Sequence, residues 1–443
     1  MQRHLLPGLF VLVLVATCSA RGQAGNPPDA DSGRRGQQTP GRSIEDLNLV
    51  GAETGMPSFP DSPISLRSAF RQRLWNEGVL LRTVVETQYA QNLLQAPVSA
   101  DEQTYVGERP FAGTMMSMTL TADLRQFHLA HAQFTTCGVW NWASWRPAGP
   151  KAFQIFGLYF FKAFGDDRVE IKAGYIGNNL EVIGLAVGGS AATAAQGAYA
   201  VLPFEVGLSY FPLTAPSFNV RIRGPWKTYV KTLAQRSLDP RGGPMEAARN
   251  ATGFRFAPHG DKLLLFVEAG YQRAAGADDH EIWFRAGYLH NSTPYANLGT
   301  GKAEAGNHAA FALMDYQLRQ PDRLQPGHGL YVGATVMAAD ARFDAYDSYY
   351  ELRLYQKGPF RARPFDMVSL VGYSSGHSRN LTKPLLASGH TVWESSASLT
   401  GSYAMRVHPG QYMNIGLSYV RGAAITPRVH DALAASASYI VFF

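Results

Sequence analysis

The sequence predicts an all-β chain, a transmembrane antiparallel β-barrel of about 16 strands with a short N-terminal helix in front of it. Three observations carry this expectation. Apolar and polar residues alternate with period two through most of the chain after Val79. The last segment, Leu433, Ala435, Ala437, Tyr439, Val441 and Phe443, alternates up to the terminal carboxylate. The composition is intermediate: 46% hydrophobic residues with a mean hydropathy of −0.14 is too polar for a bundle of membrane helices. A membrane barrel has this look because only alternate residues face lipid.

Residues 1–24 read as a signal peptide. Arg3 and His4 precede an apolar run from Leu5 to Thr17, and small residues place cleavage after Ala20 or Ala24. Lipoprotein processing at Cys18 is the alternative, disfavoured by Thr17 in front of it. Loss of Arg3 and Arg21 lowers the net charge from +6 to +4 and leaves Cys137 as the only cysteine. That excludes an intrachain disulfide and a paired-cysteine zinc site. Residues 25–63 form a leader rich in Gly, Pro, Ser, Asp and Gln. The leader holds three arginines against six acids, so residues 64–443 carry +7. Residues 64–78 contain a short amphipathic helix, Ile64 to Asn76, at the barrel mouth. Leu66, Phe70 and Leu74 share a face, Arg67, Arg71 and Arg73 lie off it, Pro63 precedes it and Gly78 ends it.

Residues 79–443 form the barrel. Val169, Ile171, Ala173 and Tyr175 alternate with Glu170, Lys172 and Gly174. Phe218, Val220 and Ile222 alternate with Asn219, Arg221 and Arg223, and Ala312–Arg319 repeats the pattern. Leu81–Ala90 and Thr114–Leu124 alternate more loosely. A soluble β-sandwich also alternates, but these polar faces are unusually charged. Tyr288, Tyr346, Tyr349, Tyr350, Tyr355, Tyr373 and Tyr419 suit interfacial girdles, and tight turns such as Gly165-Asp166-Asp167 and Gly260-Asp261 alternate with long connections. Val182–Phe204 is uncharged and long enough to span a bilayer as a helix. Its Gly184, Gly188, Gly189 and Gly197 make it an apolar loop instead. Such a loop narrows the barrel from inside, or serves as an external lid or a subunit contact.

Several function classes drop out. There is no dense Lys/Arg run, and so no case for nucleic-acid binding. His128 and His131, placed on a strand, point to opposite faces, so no metal and no cofactor is expected. Gly376-His377-Ser378-Arg379-Asn380 offers serine and histidine without a nucleophile spacing, and the chain is not expected to be an enzyme. The triplets beginning at Asn250, Asn291 and Asn380 match glycosylation signals by chance.

The polar faces nominate Arg82, Glu86, Arg221, Arg223, Glu268, Arg285, Asp315, Gln317, Arg319, Glu351 and Arg353 as wall residues of a wet lumen. Arginine forks and carboxylates donate to and accept from solute hydroxyls. Each of them also reads as half of a structural ion pair.

Further motifs carry a family resemblance. Arg71-x-x-Leu74-x-x-x-Gly78-Val79, Glu268 with Gly270-Tyr271, Phe311–Gln317 with its Asp315-x-Gln317, and Gly329-Leu330-Tyr331-Val332 occur in order. Lys357–Asp366 adds a glycine followed by Arg363-Pro364-Phe365-Asp366. Together these resemble the carbohydrate-selective porin family of Gram-negative outer membranes. The resemblance implies passive diffusion of sugars such as monosaccharides, a location in outer-membrane lipid, and Arg363 and Asp366 as a hairpin clamp. It also implies insertion by the barrel-assembly machinery, which the C-terminal aromatic would engage, and a monomer or homotrimer. Thr400 stands where the family usually has a second glutamate, and Ile415-Gly416-Leu417-Ser418 replaces its Gln-Pro, which leaves the sugar preference open. A pore for small anions such as sugar acids or other organic acids is the alternative, given the +7 of the barrel segment. A purely structural barrel is a third.

Overall fold

The structure is a computed structural model describing residues 56–64, 68–99, 101–145, 153–182, 202–423, 425–426 and 431–443. The first strands are β1 (Val79–Asn92), β2 (Phe111–Asp123), β3 (Ala132–Ala143), β4 (Phe153–Phe164), β5 (Val169–Ile176), β6 (Ala215–Arg223), β7 (Thr228–Arg236), β8 (Leu263–Arg273) and β9 (Ile282–Asn291). A small hairpin, β10 (Tyr295–Ala296) and β11 (Ala303–Glu304), lies outside the sheet. The rest are β12 (Asn307–Arg319), β13 (Gly329–Ala339), β14 (Tyr346–Lys357), β15 (Met367–His377), β16 (Ser395–His408), β17 (Gln411–Arg421) and β18 (Ala432–Phe442). Sixteen of these pair antiparallel with their sequence neighbours, and β1 closes the barrel on β18. Thr83 and Phe443 exchange backbone hydrogen bonds of 3.1 and 2.7 Å, so the terminal aromatic belongs to the ladder. Closure removes the exposed edges that an open sheet would present.

The burial pattern is inverted relative to a soluble protein. On β14, Glu351, Arg353 and Tyr355 are buried while Tyr350, Leu352 and Leu354 are exposed. On β8, Glu268 is buried beside exposed Leu265 and Val267. A sandwich would bury the apolar side. A membrane barrel turns it to lipid and keeps charge inside.

The rim bearing the β1 start and β18 end carries short turns, including 165–168, 224–227 and 409–410. The opposite rim carries the long connections, among them 93–110, 177–214 and 237–262. By the habit of outer-membrane barrels the first rim is periplasmic. At the Gly165 turn, Asp166 and Asp167 have φ of 53° and 62°, the left-handed region that short acidic side chains tolerate.

Four expectations need correction. The N-terminal helix α1 is shorter, Ala69–Asn76, because Ser68 caps it by accepting from Arg71 N; Leu66 lies outside the described residues. Phe70 is exposed on it. Of the tyrosines placed in girdles, Tyr288, Tyr350 and Tyr419 are exposed, but Tyr346, Tyr349, Tyr355 and Tyr373 are buried. Strand parity puts Tyr349, Tyr355 and Tyr373 on the inward side. His128 and His131 lie in the β2–β3 turn, not on a strand. Gly260-Asp261 is no tight turn; it ends the 237–262 connection, where Asp261 pairs with Arg236 at 3.1 Å.

Candidate functional site: the barrel lumen

Inward positions are not alike around the circumference. From β5 to β14 they carry matched charges. Arg353 holds Asp315 through Nε at 3.1 Å and Nη2 at 3.0 Å, donates to Thr335 Oγ1 at 2.7 Å, and pairs with Glu351. Gly333 makes room for this cluster: a Cβ there would sit 2.4 Å from Asp315 Oδ1. Lys172 pairs with Glu181 at 2.7 Å, and Arg223 with Glu170 at 2.7 Å. Tyr229 donates to Glu268 at 2.9 Å and accepts from Trp283 Nε1 at 2.9 Å. Arg285 lies 3.8 Å over the Trp283 ring and Arg221 lies 4.7 Å over Tyr229.

The connection 177–214 turns inward against this charged sector. Its short helix α2 (Leu202–Glu205) reaches β13 and β14 on the far wall. Val182, Leu202, Val206 and Leu208 join Leu264, Phe266, Leu289, Phe311 and Leu313 in one apolar core. These wall residues face inward, so the core lies within the barrel and fills that side. Residues 183–201 of the Val182–Phe204 stretch lie outside the described residues; both of its ends are in this core or against it. Glu205 accepts from Tyr346 N at 3.1 Å. Burial pushes the Glu205 carboxyl up to about 8, and the neighbouring Asp344 is raised by burial and by Glu205.

A strap closes part of the periplasmic mouth. Residues 25–63 read as a leader in the sequence, yet Met56 packs on Val84, Tyr412, Ile440 and Phe442, and Phe59 on Leu80. These inward positions are apolar, which is anomalous for a wet wall until the strap covers them. Asp61 fastens it, accepting from Arg406 at 2.6 Å, from Gly410 N at 2.6 Å and from the Tyr412 hydroxyl. Arg82 donates to Pro57 O at 3.2 Å, and Arg71 lies 4.8 Å over Phe59.

Among the nominated residues, Arg82, Glu86, Arg221, Arg223, Glu268, Arg285, Asp315, Gln317, Glu351 and Arg353 stand at inward positions. The structure gathers Asp315, Glu351 and Arg353 into one cluster but leaves Arg82 and Glu86 on β1. Glu86 accepts from Gln88 at 2.9 Å. Gln317 donates to Pro326 O and His328 O at 2.7 and 2.9 Å, which ties down the β12–β13 turn. Arg319 differs: a bulge at Gln317/Arg319 breaks the alternation and pairs it with Leu330, exposed at the rim. Arg363 and Asp366 form an ion pair in the β14–β15 turn, where Asp366 also accepts from Arg406 N at 3.0 Å and from Tyr403. His377 and Ser378 are structural: His377 contacts Trp393 O at 2.7 Å and Ser378 caps α3 (Arg379–Ala387).

Between the rims, the opposite sector carries no charge signal in the sequence. On β15 to β18 many of the inward residues are small or hydroxylated, Ser369, Ser398, Thr400, Ser402, Ser418 and Ser436 among them. Ser369 meets Ser402 at 2.6 Å, and Thr400 meets Ser418 at 2.7 Å. Serine on alternate positions was the available signal, but it is quieter than charge.

A closed sixteen-stranded barrel with an apolar exterior, a charged interior and an inward loop defines an outer-membrane porin. The family model for carbohydrate-selective porins, OprB family, matches residues 78–436. The chain belongs to that family, and it is a pore of the outer membrane, not an enzyme. No curated protein matches its sequence. Its fold is similar to the high-pH structure of Pseudomonas putida OprB, with 15% identity, a TM-score of 0.69, and coverage of 86% of this chain and 97% of that one. The low-pH structure of the same protein gives 13%, 0.55, and 86% and 98%. The Salmonella typhi OmpF complex with daunomycin gives 7%, 0.52, and 83% and 99%.

Proposed function

We propose that this porin passes small neutral sugars, monosaccharides first, by passive diffusion through an electrically balanced lumen. The observation that carries this reading is charge pairing. Arg353 with Asp315 and Glu351, Lys172 with Glu181, and Arg223 with Glu170 are each matched within hydrogen-bonding reach. A matched wall exerts little net field on a solute, whereas unmatched cations would concentrate anions. The +7 of residues 64–443 favours the second reading, a pore for sugar acids or other organic acids. The reversal potential of single channels in a KCl gradient separates the two. Weak ion selectivity supports the neutral-sugar reading, and strong anion selectivity supports the other. Each chain encloses its own lumen, so a monomer and a homotrimer conduct alike in this reading. The β18 strand, paired out to Phe443, is the segment offered to the barrel-assembly machinery.

A further inference from the structure

We infer that solute crosses this barrel off-centre, along a neutral hydroxyl track on β16 to β18, and not through the charged sector. The inference rests on the sugar-porin reading and adds the path and its specificity-determining residues.

Most inward serines of β16 to β18 are more exposed than most of the charged side. On the charged side most inward residues, Lys231, Glu268, Arg285, Leu313 and Arg353 among them, are buried, several under the core that the 177–214 connection builds, while Arg221 and Asp315 are half-buried. On the other side, Ser398, Ser402, Gly416, Ser418, Ser436 and Ser438 are inward-facing yet only half-buried. Small side chains leave space in front of them, and half-burial at an inward position means contact with lumen water. The open cross-section therefore lies against β16 to β18.

The chemistry of this sector suits a polyol. Cross-strand register places these positions in girdles: Ser369, Ser402, Gly416 and Ser436 are successive partners around the wall, and Thr400, Ser418 and Ala434 form the next row. Rows along a strand are two residues apart, about 7 Å, comparable with a pyranose ring. A hydroxyl both donates and accepts. In the Ser369–Ser402 and Thr400–Ser418 pairs one proton is shared inside the pair. A serine or threonine hydroxyl has one proton and two lone pairs, so a bond to a wall neighbour and a bond to a sugar hydroxyl can coexist on it. Among the described residues, the inward positions of β16 to β18 between the rims carry no charge; Arg406, at the periplasmic rim, is held by Asp61. A sugar can thus exchange water for wall hydroxyls step by step and leave again, as conduction through weak successive sites requires.

The test uses full-length mature protein in a Cys137→Ser background, with Ser402→Cys, Ser436→Cys and, on the covered sector, Leu313→Cys. Each is reconstituted in liposomes, treated with a bulky water-soluble maleimide, and assayed for glucose-driven swelling, with labelling read by mass. The expected result is labelling of Ser402→Cys and Ser436→Cys with a severalfold loss of glucose permeability, and neither effect at Leu313→Cys. Unlabelled thiols at both serine positions, or labelled thiols with unchanged flux, would overturn the track. So would block at Leu313→Cys. If a serine variant fails to fold, judged by its heat-shifted band on gels, the other decides. Absence of glucose flux in the unmodified Cys137→Ser protein would instead sink the sugar-porin reading, while the labelling pattern would still report which sector is wet.

Discussion

Replacing Arg353 with methionine separates a structural wall charge from a selective one. The Arg353 side chain is 1% exposed, and the partner side chains Asp315 and Glu351 are 14% and 8% exposed. Methionine keeps most of the volume but leaves two facing carboxylates with no guanidinium between them. Breaking a buried pair from one side costs about 3–5 kcal/mol, because the remaining charge stays desolvated. Here two carboxylates are stranded, so the upper part of that range applies. Urea unfolding in lipid vesicles, followed by the fluorescence of the seven tryptophans, measures the loss. Adding Asp315→Asn and Glu351→Gln to the same chain should restore most of it. Single-channel conductance should stay close to wild type, because Arg353 is turned into its own pairs and away from the open sector. A loss below about 1 kcal/mol, the value of an exposed pair, would refute the reasoning. So would unchanged stability with a large change in ion selectivity.

Three further outcomes follow from particular contacts. Asp61→Asn weakens the acceptor for Arg406, Gly410 N and Tyr412, so the strap should loosen and planar-bilayer recordings should show a larger, noisier conductance. The raised Glu205 carboxyl binds a proton in the seated loop that it would release when free. The seat is therefore firm at low pH and weakens as pH rises from the ordinary carboxylate range, 4.5, through about 8. Asp344 and Tyr346 are titratable groups that interact with it; Asp340 acts on Asp344 in turn, and Tyr373 on Tyr346. Proteolysis of the 202–214 segment should quicken with rising pH, and Glu205→Gln should flatten that dependence. Gly333→Ala would put a methyl 2.4 Å from Asp315 Oδ1 and 2.5 Å from Arg353 Nε. Overpacking of this kind costs about 1–3 kcal/mol, readable in the same urea assay.

How far the sequence could be read depended on what each signal encodes. Alternation reports which residues share a face, so Val169–Tyr175 and Ala312–Leu318 gave strands and the sixteen-strand barrel. Alternation does not say which face is wet when both carry aromatics. Tyr349 and Tyr355 therefore read as girdle residues although they stack inside against Tyr373 and Tyr331. A bulge adds one residue and reverses parity, which displaced Arg319. The strap was hidden because Met56 and Phe59 are isolated apolar residues in a polar stretch. Their partners, Ile440 and Leu80, come from the closure of the barrel. Charged residues drew attention to the wall at Arg353, while Ser402 and Ser436 acquire meaning only once three strands are set side by side.

The most direct test of carbohydrate selectivity is the relative swelling rate of proteoliposomes containing the mature protein in glucose, a disaccharide and gluconate. The structure predicts fast glucose uptake, slower disaccharide uptake and gluconate slower than glucose. Gluconate outpacing glucose would contradict the balanced-lumen account, and no uptake of any of the three would contradict transport itself.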